Sequence, residues 1–342
     1  MALYNTQSYR IALFLSYPIP LSISRGWIAV RLLASRLHER ILQKKRRLDG
    51  LRPFPPGVVR KIQQQMQVEY IYNSNAIEGN TLSLRETQLI LEEGITVGGK
   101  PLREILEVRN HPGAIDFIEK VATSGELKEE QILSIHQIIV KDIIEDAGRY
   151  RTGEVRITGT DYIPSPAYDI PFHIRDMIKT YNRNPDELAP IELAAWLHHR
   201  LVQIHPFHDG NGRVARLLMN LTLLHYGYPM TVILRVDRKK YYDTLRKADK
   251  GNLAPFANFI ASAVEQTIDT YLRAIDPAAD PLLPVSEASR GTPFSPEYLS
   301  LLARTRRIPA IKIGRKWMVP RSAVQAYIAQ QRERSTPPRE LP

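Results

Sequence analysis

Residues 205–216 read His-Pro-Phe-His-Asp-Gly-Asn-Gly-Arg-Val-Ala-Arg, a run that sets a glycine-bearing loop directly onto the start of a helix. Val214, Leu217, Leu218, Leu221 and Leu224 recur at helical spacing, which predicts one apolar face, and Gly227 and Pro229 stop the pattern. The loop therefore ends at a helix N-terminus, where unpaired N–H groups and the helix dipole favour an anion. Arg213 and Arg216 lie one turn apart on a shared face. Their planar guanidiniums match phosphate oxygens. Taken singly, His205 reads as a core histidine, Asp209 as a helix cap, Gly210 and Gly212 as a tight turn, and the arginines as solvated charges. Together they read as a polyphosphate site with a base, His205, and a metal-binding carboxylate, Asp209, beside it. His198, His199, His205 and His208 also crowd this region, but the chain has no His-Glu-x-x-His and no cysteine, which disfavours a zinc site.

The same residues match the signature His-x-Phe-x-Asp/Glu-Gly-Asn-Gly-Arg-x-x-Arg at every fixed position, and over about residues 52–275 the chain resembles the Fic family. Ser74-Asn75-Ala76-Ile77-Glu78-Gly79 resembles the family's N-terminal inhibitory motif. Arg151 to Ile157, continuing to Ile163-Pro164, resembles the flap that docks a target segment. Tyr241-Tyr242 with Gly251-Asn252-Leu253 and Pro255-Phe256 resembles the helical region that closes over adenine. Ser165 stands where many relatives carry a second proline, and Asp249 where some carry an asparagine. Both departures bear on base recognition and leave the reaction class untouched.

The resemblance implies an all-α Fic core with a short β-hairpin flap. The activity it implies is adenylyl transfer, moving AMP from ATP, the co-substrate, to a Ser, Thr or Tyr hydroxyl of a target protein, which can be the chain itself. His205 would then be the general base and Asp209 the ligand of Mg²⁺, the implied cofactor. Gly210, Asn211 and Gly212 would approach the α- and β-phosphates through their N–H groups. Arg213 would steady the leaving pyrophosphate, Arg216 the γ-phosphate, and Tyr241 and Tyr242 would complete the nucleotide site. Ser74, Glu78 and Gly79 would form the inhibitory element, with Glu78 paired to Arg216. Ser74 and Glu78 are one turn apart, which places both on one side of a predicted helix. Ile157, Thr158, Gly159 and Thr160 would form the docking flap, a hairpin whose edge can pair with an extended target segment. Two rival readings stay open. One is transfer of UMP or phosphocholine on the same scaffold; the other is a DNA-binding regulator that senses nucleotide. The intact Gly-Asn-Gly-Arg with Arg216 favours a triphosphate, and His205 favours an enzyme over a sensor. A homodimer is compatible with the resemblance, and neither the target nor the releasing signal can be read from the residues.

The 342 residues suffice for two domains and an extension. With no cysteine, disulfides and thiol chemistry are excluded, and a reducing cytoplasm is the expected setting. The longest apolar candidate for a membrane span, Ile11 to Ser24, is too short and holds Pro18 and Pro20, so no membrane partner is expected. Charge is uneven. Residues 1–50 carry nine Lys/Arg against two acids and residues 281–342 eleven against four, whereas the middle is slightly acidic. The first segment reads as a basic extension over 1–50, poorly ordered or weakly helical. A helical region with the inhibitory motif follows over 51–120, then a catalytic domain over 121–275 and a proline-rich linker over 276–284.

Residues 285–332 resemble the small winged helix-turn-helix of the excisionase family, with a disordered tail over 333–342. Ser295 caps a helix with Pro296 at its first position, and Tyr298, Leu301 and Leu302 are expected to face inward. Strands are expected near 310–313 and 316–319, then a helix from about Arg321 to Gln330. Arg304, Arg306, Arg307, Lys312 and Arg315 are the expected DNA contacts, in a stretch without acids from Tyr298 to Gln330. The bland reading of the same unit is a protein-docking or dimerisation module.

Overall fold

The helix expected from Val214 onward runs over Asn211–His225 (α8) and is the axis of the first of two compact units, Met1–Tyr271 and Leu272–Pro342. The computed structural model describes residues 32–54, 56–156, 162–275, 281–305, 307–313 and 316–335. Around α8 the described helices are α1 (Ser35–Gly50), α2 (Pro56–Ile77), α3 (Leu84–Glu93), α4 (Leu102–Val121), α5 (Glu129–Ile139), α6 (Ile170–Arg183), α7 (Pro190–Ile204), α9 (Arg238–Asp249) and α10 (Ala254–Ile275). α8 lies against α7 along its length and also meets α4 and α5. The expected single apolar face is too narrow, because Val214, Ala215, Leu217, Leu218, Met219, Leu221, Leu223 and Leu224 are all buried. A helix enclosed on all sides can carry polar groups only if they are paired. Asn220 accordingly bridges the Arg216 carbonyl (3.1 Å) and the Thr231 backbone, and Thr222 meets the Tyr181 hydroxyl at 3.1 Å. No helix among the described residues is long and apolar enough to cross a membrane.

α1 ends at Gly50 and α4 at Val121, beside the expected boundaries at 50/51 and 120/121, and the helices on both sides belong to the first unit. Leu33, Ile41 and Leu48 are buried, so the segment from residue 32 belongs to the first unit. Its basic side chains have acidic partners on α10: Arg40 and Lys44 each reach Glu265 at 2.9 Å, and Lys44 reaches Asp269 at 2.8 Å. Glu192 at the start of α7 accepts from the N–H groups of Leu32 (2.7 Å) and Leu33 (3.0 Å). Those acids lie more than 150 positions away, which is why local charge counting took α1 for a free basic extension.

In the flap, Ile157, Thr158, Gly159 and Thr160 lie outside the described residues. The expected hairpin has its turn, 157–161, outside the described residues, and the described flanks 154–156 and 162–166 carry no strand. Pro164 and Pro166 lack the N–H groups a ladder needs. Buried Arg151 organises this base instead. Its guanidinium donates to the carbonyls of His205 (2.8 Å), Gly153 (2.8 Å) and Ser165.

The second unit is a three-stranded antiparallel sheet with short helices. β1 (Leu282–Pro284) and β2 (Ile311–Ile313) flank β3 (Lys316–Pro320), with Leu283 opposite Val319 and Lys312 opposite Trp317. β1 therefore removes residues 282–284 from the expected linker; as an edge strand it tolerates Pro284. The helices are α11 (Val285–Ala288), α12 (Pro296–Arg304) and α13 (Arg321–Ser335), the last reaching into the expected tail. Ser295 caps α12 as expected, accepting from the Tyr298 N–H at 3.2 Å. Its inward face is different, however. Leu299, Leu302 and Ala303 join Ala288, Ile308, Val319, Val324 and Tyr327 in the core, while Tyr298 and Leu301 are 37% and 40% exposed. The sheet approaches α12 from the Leu299 side, a tertiary fact that helical spacing alone leaves free.

Candidate active site

The 205–216 run folds as a left-handed turn, a short loop and the first two turns of α8. His205 ends α7 with φ 51°, and Gly210 precedes α8 with φ 82°, a conformation that favours glycine. Gly210 also sits against Val140 and His136, where a Cβ would come within 3.1 Å of the valine. Asn211 closes the loop with two bonds to Phe207, accepting from its N–H (3.0 Å) and donating to its carbonyl (2.7 Å). Phe207 is buried and stacks on His136 at 3.7 Å between ring centroids. His136 accepts from the Gly148 N–H through Nδ1 (3.0 Å) and donates through Nε2 to the Asp209 carbonyl (3.1 Å). These contacts fix a neutral imidazole behind the loop.

Burial pushes the His136 imidazole down to about 4 and the imidazole of His111, on α4, down to about 3. The unfolded chain binds these protons near 6.5, whereas the folded chain resists them until about 4 or lower. Stability from these groups is thus complete above 6.5 and is lost as pH falls toward 4, about 3 kcal/mol for His136 alone. The thermal midpoint is expected to drop by several degrees between about pH 7 and pH 5. An unchanged midpoint over that interval would contradict the buried-neutral assignment.

His205 is half-buried, and its Nδ1 donates to the Val202 carbonyl at 3.3 Å. That tautomer leaves the Nε2 lone pair as the basic one. Burial, aided by the nearby Arg151 charge, holds the imidazole below its ordinary value of 6.5, so it is neutral near physiological pH. Asp209 accepts from the Gly210 N–H through Oδ1 (2.6 Å). Its Oδ2 meets Arg213 Nη2 at 3.1 Å and the Arg103 guanidinium. Burial opposes its ionisation, but Arg213, the Gly210 N–H and Arg103 outweigh it and hold the carboxyl below the usual range. Among the described residues no group of three or more His, Cys, Asp or Glu side chains could hold a metal. A single ionised oxygen ligand beside a helix N-terminus would nevertheless suit Mg²⁺, which takes one or two carboxylates and fills its sphere with phosphate oxygens and water.

Arg213 and Arg216 are both 1% exposed, so neither is a solvated charge. Arg213 lies 3.2 Å from Glu107, and its Nε is buried with no partner. An unpartnered donor on that guanidinium fits an anion yet to arrive. Arg216 is fully engaged: Nε donates to Ser74 Oγ (3.0 Å), Nη2 to the Ser74 carbonyl (2.9 Å) and to Glu78 Oε1 (2.8 Å), and Nη1 lies 3.4 Å from the Tyr241 hydroxyl. Burial weighs against its charge, but Glu78 more than compensates and the group stays firmly protonated.

Glu78 is not on the helix with Ser74. α2 ends at Ile77, and Glu78 and Gly79 form the turn beyond it, Gly79 at φ 105°. The turn swings the carboxylate over the α8 N-terminus, where a Cβ on Gly212 would collide with it. Tyr241, expected to help complete the nucleotide site, is buried, and its hydroxyl bonds His198 Nε2 at 2.9 Å and supports Arg216. Tyr242 is half-buried beneath the Arg238 guanidinium, 4.9 Å above its ring. Asp249 pairs with His199 at 2.9 Å. Two participants, Arg103 and Glu107, carried no signal as site residues in the sequence, and Arg151 was read only as the start of the flap segment. Each acts through partners 54 to 106 positions away.

The expected DNA contacts are only partly described. Arg304 and Arg307 are exposed, Arg306 and Arg315 lie outside the described residues, and Lys312 is placed by its backbone in β2.

A family model for the Fic/DOC family matches residues 126–223, and one for a helix-turn-helix domain matches residues 282–332. The protein adenylyltransferase Fic of Nematostella vectensis is 36% identical over 253 residues, 71% of this chain and 57% of that protein. Its counterpart in Aedes aegypti is 33% identical over 290 residues, 82% of this chain and 58% of that protein. The chain spans little more than half the length of these relatives. A Fic domain containing signaling protein from Bacteroides thetaiotaomicron superposes with a TM-score of 0.65 and 31% identity, covering 69% of this chain and 97% of that one. Fic-1 from C. elegans gives 0.64 and 32%, covering 70% and 73%. The all-α core is thus the Fic fold, and the chain belongs to the Fic/DOC family.

Proposed function

We propose that this chain transfers AMP from ATP to a hydroxyl of a protein target and that Glu78 represses the reaction. One observation carries the reading: a neutral His205, an ionised Asp209, the start of α8 and two buried arginines converge on one loop. His205 Nε2 takes the hydroxyl proton as the oxygen attacks the α-phosphorus. The bond from that phosphorus to the bridging oxygen breaks, and pyrophosphate leaves toward Arg213. Magnesium on Asp209 would supply charge neutralisation at the phosphates. The N–H groups of α8 hold phosphate oxygens, and Arg216 takes the γ-phosphate once Glu78 has moved away. The flap would seat the target, with Ile163 and Tyr168 offering apolar surface at its exit, 82% and 81% exposed. Similarity to relatives named protein adenylyltransferase supports AMP as the group transferred. The test uses ATP labelled on the α- or the γ-phosphate. Protein labelling by the α-label alone supports the reading. Labelling by the γ-label, or only from a UTP or CDP-choline donor, would replace it with another transfer.

The second unit is proposed to bind DNA. The helix-turn-helix match and the exposed Arg304 and Arg307 at the end of α12 support this. Replacing both arginines by alanine is expected to weaken binding and to reduce the slope of log K against log salt by about 0.9 per lost phosphate contact. An unchanged slope in a folded variant would favour a protein-docking role for this unit.

A further inference from the structure

We propose that Arg103 is a nucleotide-site residue that stands in for the metal ion on Asp209 and supports the phosphates of a nucleotide that binds without metal. The proposal rests on the nucleotidyl-transfer reading above. Arg103 lies in the first turns of α4, 106 positions from the loop it touches. Its guanidinium meets Asp209 Oδ2, the oxygen that also takes Arg213. The two arginines differ in freedom. The Arg213 side chain is 2% exposed and fixed, whereas that of Arg103 is 54% exposed and held through its guanidinium Nε by Glu107 at 3.4 Å. Glu107 is shared, since it also meets Arg213 at 3.2 Å and accepts from Asn80 at 3.0 Å. Asn80 follows the Glu78–Gly79 turn directly, so the support for Arg103 and the placing of Glu78 form one network.

Both poles of the phosphate site are therefore satisfied from within. The Glu78 carboxylate occupies Arg216, and the Arg103 guanidinium occupies Asp209. An exposed ion pair taken alone contributes little to stability. Here it lies on the one carboxylate suited to the metal. Arriving metal and nucleotide must displace the guanidinium, and its Glu107 tether keeps it beside an incoming polyphosphate. A mobile cation there contributes most when no metal is present, because the ionised Asp209 otherwise repels the nucleotide's phosphates.

The experiment measures ADP affinity by calorimetry, in EDTA and in saturating Mg²⁺, for Glu78→Gly and for Glu78→Gly carrying Arg103→Gln or Arg103→Lys. Arg103→Gln is expected to weaken binding in EDTA by roughly tenfold while changing it little in Mg²⁺, and Arg103→Lys to restore much of the loss. Equal affinities with and without Arg103 in EDTA, or an equal loss in both conditions, would overturn the proposal. Failure of the Glu78→Gly parent to bind ADP at all would instead reject the nucleotide-site reading beneath it. Thermal unfolding of each variant separates loss of folding from loss of contact.

Discussion

Glu78→Gly is expected to raise α-label transfer to protein by roughly 10²-fold, with little or no transfer from the parent chain. The reason is local. Arg216 is buried, and the Glu78 carboxylate meets it at 2.8 Å across the start of α8. On the proposed reading a γ-phosphate would need that guanidinium and that space. Displacing one partner of a desolvated charge pair costs about 2–5 kcal/mol, and each 1.4 kcal/mol is tenfold in an equilibrium. The Glu78 side chain is 33% exposed, which places the effect toward the lower part of that range.

Stability should move the other way. Without Glu78 the Arg216 charge keeps Ser74 and Tyr241 but loses its anion. The variant should therefore unfold at a lower temperature and gain more from ATP than the parent does, because the γ-phosphate refills the vacated position. Equal transfer by parent and variant would remove Glu78 from any repressive role. A variant that gains activity without gaining ATP-dependent stability would show that Glu78 acts elsewhere than at the phosphate.

The site was largely legible because its residues are contiguous. His205, Asp209, Gly210, Gly212 and Arg213 need only a loop and a helix start, and Gly210 and Asn211 supply those locally. Glu78 was legible through its motif, although its position beyond the end of α2 was not. Spacing of one turn fits both a continuing helix and the turn that Gly79 makes at φ 105°. What the sequence hid is everything decided by distant partners. α1 appears as a charged extension until Glu265, Asp269 and Glu192 are placed against it. That the Tyr241 hydroxyl serves His198 and Arg216 is likewise invisible until those distant residues are placed beside it. On α12 the helical period was right and its phase wrong, since Leu299 rather than Tyr298 meets the sheet. A nine-residue helix with several apolar residues leaves that phase undetermined.

His205→Ala in the Glu78→Gly protein is expected to lower AMP transfer by roughly 10²–10⁴-fold while ATP still binds. No phosphate contact is expected to be lost, because on the proposed reading α8, Arg213 and Arg216 hold the anion and His205 lies at the end of α7. The pH profile distinguishes a base from a positioning group. Burial holds the imidazole below 6.5, so the active, neutral form predominates near neutral pH. Transfer by Glu78→Gly should be level there and fall as acid protonates Nε2, with that limb lying below the ordinary histidine value. His205→Ala should lose both the rate and the limb. Binding that disappears together with the rate would make His205 part of the nucleotide cradle. A variant that keeps the acid limb would assign the titration to another group, and Asp209, the other ionisable side chain on this loop with a shifted pKa, would then be the residue to replace next.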